Sequence, residues 1–182
     1  MSKHATVHSV HLYDEHSALI ERLCGIVKSG LEIGGSVLIV ATASHRNELV
    51  RQLTDAGVDV RSHARDGRFT MCDAKETLAM FMRKGRPDRN LFTATVGKLL
   101  EDAKRNARNK DQALTVFGEM VAVLWEAGEK QAALELETMW NDLLNDRVFH
   151  LHCAYPRWSF VNDKDEVGLA AVCQAHSHVI MQ

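Results

Sequence analysis

Glu119 stands between two apolar runs, residues 112–118 (QALTVFG) and 120–125 (MVAVLW). A carboxylate in that setting is partly withdrawn from water and needs a partner. The run 148–154 carries Cys153 and ends at Tyr155-Pro156. Near the start of the chain, Tyr13 and Asp14 end the run 7–13, and residues 42–45 follow the strongest run, SVLIVAT at 36–42. Polar anchors of this kind beside apolar side chains suit a small-molecule pocket. Trp125 and Trp140 lie close to Glu119 in sequence and read either as pocket walls or as core. Glu119 has a second reading, as a first-turn helix acid favoured by the helix dipole. Tyr13 and Tyr155 have one as strand-end residues with hydrated hydroxyls. Cys153 reads as a buried thiol, because nothing basic beside it in sequence would stabilise a thiolate.

Several chemistries are not supported. A phosphate-binding loop needs GxxxxGK[ST] after an early strand. The glycines at 30, 34 and 35 lack the lysine and precede a strand. The turn after the first strand, Tyr13-Asp14-Glu15-His16, is acidic and would repel phosphate. GxGxxG and GxSxG are absent, which counts against a nicotinamide-linked dehydrogenase or an α/β-hydrolase. Ten histidines invite a metal reading. His150 and His152 fall on one strand face, and Cys173, His176 and His178 cluster near the end of the chain. That spacing matches no standard zinc or copper motif. Hydrogen-bonding or surface histidines are the expectation, with no metal and no other cofactor.

The elements that must position these residues follow from hydropathy. Strands are expected at 7–13, 36–42, 68–72, 112–118 and 148–154, with residues 178–181 as an edge strand. Helices are expected after Asp14 as N-cap, at 44–56 with Gly57 as its stop, from Asp73 to 83, at 89–107, over the stretch holding Leu136, Met139, Trp140, Leu143 and Leu144, and from Asp163 to 176. Asp73 with Glu76, and Asp163 with Glu166, resemble capping boxes. Residues 58–65 are ambiguous, 85–87 break the chain, and 157–164 read as a loop. Strands alternating with helices predict a three-layer α/β fold around a mainly parallel sheet. In such folds ligands bind at the C-terminal ends of the strands. Tyr13, residues 42–45, Glu119 and residues 153–156 are therefore expected along one edge.

The 182 residues fit one domain, 46% hydrophobic and 25% charged, as in ordinary soluble globular proteins. A net charge of −2 gives no global electrostatic case for nucleic acid or an anionic membrane. The basic segment 104–110 (KRNARNK) reads as a solvated helix end. No signal-peptide core or transmembrane run is visible, so a cytoplasmic location is expected. The four cysteines form no CxxC and read as reduced thiols.

The combination of His8-x-x-x-x-Tyr13, Gly30-Leu31, SVLIVAT with His45-Arg46, VFGEMVAVLW (116–125), LELETMWNDLL (134–144), CAYP (153–156) and AHSHVI (175–180) resembles the MEDS domain, a DcmR-like sensory domain. The resemblance spans about residues 8–180 and treats 1–182 as one such domain. It implies a degenerate RecA/KaiC-like fold without a phosphate-binding loop. It also implies a non-catalytic sensory module in signalling or transcriptional regulation that binds small organic or hydrocarbon-derived compounds. The motif positions carried over as sensor-site residues are His8, Tyr13, Glu119, Trp125, Trp140, Cys153, Tyr155, His176 and His178. Val10 replaces a cysteine frequent in the family's first motif. His150 and His152 stand where small or apolar residues are expected. No output module is visible, so a signal would pass to a separate protein partner or through self-association. A degenerate nucleotide binder, or an adaptor for a kinase or sigma-factor pathway, is the alternative.

Overall fold

The computed structural model describes residues 6–112, 114–160 and 166–181. In chain order the elements are β1 (Val7–Tyr13), α1 (His16–Glu32), β2 (Val37–Ala41), α2 (Ala43–Asp55), α3 (Val60–Arg65), β3 (Phe69–Asp73) and α4 (Ala74–Phe81). A two-residue-per-strand hairpin follows, β4 (Met82–Arg83) and β5 (Arg86–Pro87), then α5 (Arg89–Arg105), β6 (Leu114–Gly118), α6 (Met120–Glu126) and α7 (Lys130–Asp146). The chain continues through β7 (Phe149–Pro156), a 3-10 turn (Arg157–Phe160), α8 (Glu166–Ala175) and β8 (His178–Met181).

Six strands form one parallel sheet in the order β3-β2-β6-β7-β1-β8. Helices cover both faces, which gives the expected three-layer α/β fold. The central strands β2 (VLIVA) and β6 (LTVFG) are buried at every position, as continuous apolar runs should be when helices lie on both sides. Along β7 the alternation is decisive. Phe149, Leu151, Cys153 and Tyr155 face the core under α4 to α8, while Ala154 faces the core under α1 and α2. On β1, Val10 and Leu12 take the first face and Tyr13 the second.

Local chemistry explains the element ends. Asp73 caps α4 by accepting hydrogen bonds from the amides of Lys75 and Glu76. Gly57 ends the turn after α2 at φ 78°, where a Cβ would be strained. Asp14 does not cap α1, contrary to its sequence position. Glu15 is the N-cap residue, and Asp14 accepts instead from Arg157 at 2.9 Å, a partner invisible to local reading. The ambiguous 58–65 contains α3, capped by Asp59. Residues 85–87 do not simply break the chain, because Arg86–Pro87 pairs with Met82–Arg83. The 157–164 loop begins with a 3-10 turn. The Asp163 half of the second capping box lies outside the described residues. Among them, no helix is long and apolar enough to cross a membrane.

Candidate functional site

The strand ends bring Tyr13, His45 and Glu119 together on the α1–α2 side. Glu119 follows β6 and is 5% exposed, so its carboxylate must be satisfied internally. Its Oε2 accepts from the Thr42 amide at 2.8 Å, and its Oε1 from His45 Nδ1 at 2.6 Å. His45 lies in phase with Leu49 and Leu53 on α2, which turns its imidazole inward. With Nδ1 donating to the carboxylate, the Nε2 of the neutral His45 ring is an acceptor. His16 Nδ1 donates to that nitrogen at 2.8 Å. The result is a directional chain from His16 through His45 to Glu119. It leaves Nε2 of the exposed His16 as an acceptor at the surface.

Aromatic rings border that end of the chain. Trp158, 45% exposed, meets Tyr13 edge-on at 5.5 Å and His16 at 5.4 Å. Burial first, and then the negative charge of Glu119 and Glu126, push the Tyr13 phenol above its ordinary pKa, so it stays a donor. An open depression of about 550 Å³ lies beside His16 and His45, with Ile20 and Asn47 on its walls. A second, of about 470 Å³, runs along Leu12, Trp158 and Phe160.

Cys153 and Tyr155 do not join this edge. Strand alternation turns both to the opposite face, where they meet His8, His176 and a residue that sequence reading missed, Glu137. Glu137 is wholly buried on α7. Its Oε1 accepts from the Tyr155 hydroxyl at 2.8 Å. Its Oε2 lies 3.4 Å from His8 Nε2 and 3.5 Å from His176 Nε2. Cys153 Sγ is 3.5 Å from His8 Nε2 and 4.0 Å from Glu137 Oε2. Burial alone would raise the Glu137 pKa. The His8 and His176 imidazoles and the Tyr155 hydroxyl outweigh it and hold the carboxyl below its ordinary value. Burial, then the Glu137 charge, push the Cys153 thiol and the Tyr155 phenol well up. Cys153 is thus a buried thiol as expected, but with an imidazole neighbour 145 positions away.

The remaining expected residues are placed apart. Trp140 is fully buried between Phe92 and Phe149 and belongs to the core. Trp125 is core too, edge-on to Tyr155 at 5.8 Å, and its indole N–H reaches the Ser159 carbonyl at 3.4 Å. Gly168 lets α8 approach that indole, since a Cβ there would stand 2.7 Å from the ring. His178 is exposed on β8. His150 and His152 line a cleft against α1, where burial and then the Arg22 charge push the His152 pKa down to about 4. His45 falls within residues 42–45, expected at this edge. Of the missed residues, Glu137 had a signal, because it interrupts the apolar stripe of LELETMWNDLL in phase with Ala133 and Trp140. His16 and Trp158 carried none.

No curated protein matches the chain significantly. The family described as MEDS, the methanogen/methylotroph DcmR sensory domain, matches residues 7–177. That match covers β1 through the end of α8 and both polar groupings. The chain belongs to the MEDS family of sensory domains.

Proposed function

We propose that this chain is a non-catalytic, cytoplasmic ligand-binding module in signal transduction or transcriptional regulation, and that its small organic ligand docks at the strand-end relay. The observation that carries the reading is the chain His16–His45–Glu119, which presents an oriented acceptor beside the exposed Trp158. An acceptor next to an aromatic face suits a short hydrocarbon-derived molecule with a hydroxyl, amine or acid proton to donate. The acidic pair Asp14 and Glu15 is exposed in the turn after β1, which disfavours phosphate there. Output passes to a separate protein partner or through a second copy of the chain.

The test is a thermal-shift panel of short alcohols, amines, carboxylic acids and related hydrocarbon derivatives. A ligand at 100 times its Kd stabilises by about 2.7 kcal/mol. The shift should disappear in Glu119→Gln, whose side-chain amide cannot accept from both Thr42 N–H and His45 with its two ends. A protein that responds to no compound, and whose behaviour ignores Glu119→Gln, would remove this reading. Glu119-dependent binding of millimolar ATP would replace it with the nucleotide-binding alternative.

A further inference from the structure

His8, Glu137, Cys153 and His176 present four ligand atoms that all lie within 4.8 Å of one another, and all four residues are buried. We propose that they form a binding site for a single divalent transition-metal ion of the zinc type. The proposal is independent of the strand-end relay, which uses none of these residues.

Hydrogen bonding orients both imidazoles for this. The Val172 carbonyl can only accept, so His176 Nδ1, 2.7 Å away, is the protonated nitrogen. Asn141 donates its amide N–H to the Ala175 carbonyl at 3.0 Å, which fixes its Oδ1 toward His8 Nδ1 at 2.8 Å. His8 Nδ1 therefore also carries hydrogen. In the neutral rings, the form that binds a metal, both Nε2 atoms are then the lone-pair nitrogens, aimed at a carboxylate and a thiol. Metal-bound histidines are held in this way, with the other ring nitrogen donating to a carbonyl or carboxylate. Among the described residues, the buried His176 Nε2 has no hydrogen-bond partner.

The spacings favour a metal over shared protons. A charge-assisted N–H to carboxylate bond spans about 2.7–2.9 Å. The two Nε2 to Glu137 Oε2 distances are 3.4 and 3.5 Å, and Cys153 Sγ to His8 Nε2 is 3.5 Å. Tetrahedral coordination with bonds of roughly 2.0–2.3 Å puts neighbouring ligand atoms roughly 3.3–3.6 Å apart. Three of the six edges fall in that range, the Sγ to Glu137 Oε2 edge needs to contract from 4.0 Å, and all six lie within 4.8 Å. Two imidazoles, one thiolate and one carboxylate select an ion of the zinc type over the oxygen-seeking magnesium or calcium. On binding, the Cys153 S–H bond breaks, the metal–sulfur bond forms, and the proton leaves to solvent.

The experiment uses full-length, untagged protein, stripped with chelator and loaded with Zn²⁺ or with Co²⁺ as an optical probe. One ion per chain is expected. X-ray absorption of the zinc-loaded wild type should show one sulfur at roughly 2.3 Å and nitrogen or oxygen at roughly 2.0–2.2 Å. The cobalt form should show thiolate charge transfer, lost in Cys153→Ser and kept in Cys173→Ser. Asn141→Ala, which removes the orienting partner of His8 together with its bond to the Ala175 carbonyl, should weaken zinc binding roughly 10–100-fold. No uptake would mean that the cluster holds protons only, and would overturn the proposal. A coordination shell without sulfur, or a charge-transfer band that survives Cys153→Ser, would overturn it equally. The wild-type absorption measurement decides the matter even if a variant fails to fold.

Discussion

The two faces of the sheet use the same parts in opposite ways. On one face Glu119 is approached by His45 and the Thr42 amide, and the chain runs outward to the exposed His16. On the other face Glu137 is approached by His8, His176, Tyr155 and Cys153, and the grouping is sealed under α7 and α8. The first has close hydrogen bonds at 2.6 to 2.8 Å and an end in water. Among the described residues the second has one contact that close to its carboxylate, from Tyr155, and its four ligand-bearing residues are all buried. A vented relay can exchange protons and partners quickly. A sealed nest holds whatever it holds until the structure opens. Rapid sensing fits the first, and slow, tight retention fits the second.

Mutation can break or sharpen this contrast. The largest effect is expected for Glu137→Ala, which leaves the buried Tyr155 hydroxyl without its acceptor and opens a void beside the His8 and His176 imidazoles. Denaturant unfolding should show a loss of about 2–5 kcal/mol, the range for truncating a large buried side chain to alanine. Tyr155→Phe keeps the ring packing and removes one bond to the carboxylate, so a loss of about 1.5–3 kcal/mol should appear in the same titration. Glu119→Ala leaves His45 Nδ1 and the Thr42 amide without their acceptor; about 1–3 kcal/mol is expected, because water reaches this edge more easily. If Glu119→Ala proved as costly as Glu137→Ala, the two faces would not differ in the way argued. His16→Ala should change stability by no more than about 0.5 kcal/mol, as for most surface substitutions. Diethyl pyrocarbonate mapping of the wild type offers the same contrast without mutation. His16 should be modified readily, whereas His8 and His176 should be protected until the protein unfolds.

Much of this was legible in the residues. SVLIVAT and the run into Gly118 could only be strands buried on both faces, and an acid at the mouth of such a strand marks the edge where parallel sheets bind ligands. Glu119 therefore stood out. Glu137 was legible in principle, as a charge in phase with the apolar stripe of α7, because helical periodicity fixes which positions face inward. The pairing of acids with histidines was not legible. His8 and Glu137 lie far apart in the sequence, and periodicity carries no information about such long-range partners. Asp14 shows the same limit, since a plausible local cap was outcompeted by Arg157 from across the fold. The tryptophans had two readings because both lie on buried faces. Only the packing of Trp140 against Phe92 and Phe149 assigns it to the core.

The position of β1 has a consequence for how the molecule is made. β1 lies between β7 and β8, so Val7 pairs with His150 and Ser9 with His178. A nascent chain that has emerged only through α6 can assemble β2, β3 and β6, but it has no partner for its own first strand. Until residues 149–181 are synthesised, the apolar run 7–13 stays unpaired and is a target for chaperones or for mispairing. Contacts of such sequence separation also slow folding, toward the millisecond-to-second range of topologies dominated by non-local pairing. The sealed nest, which draws His8 from the first strand and its neighbours from residues 137–176, can close only after residue 176 has been made.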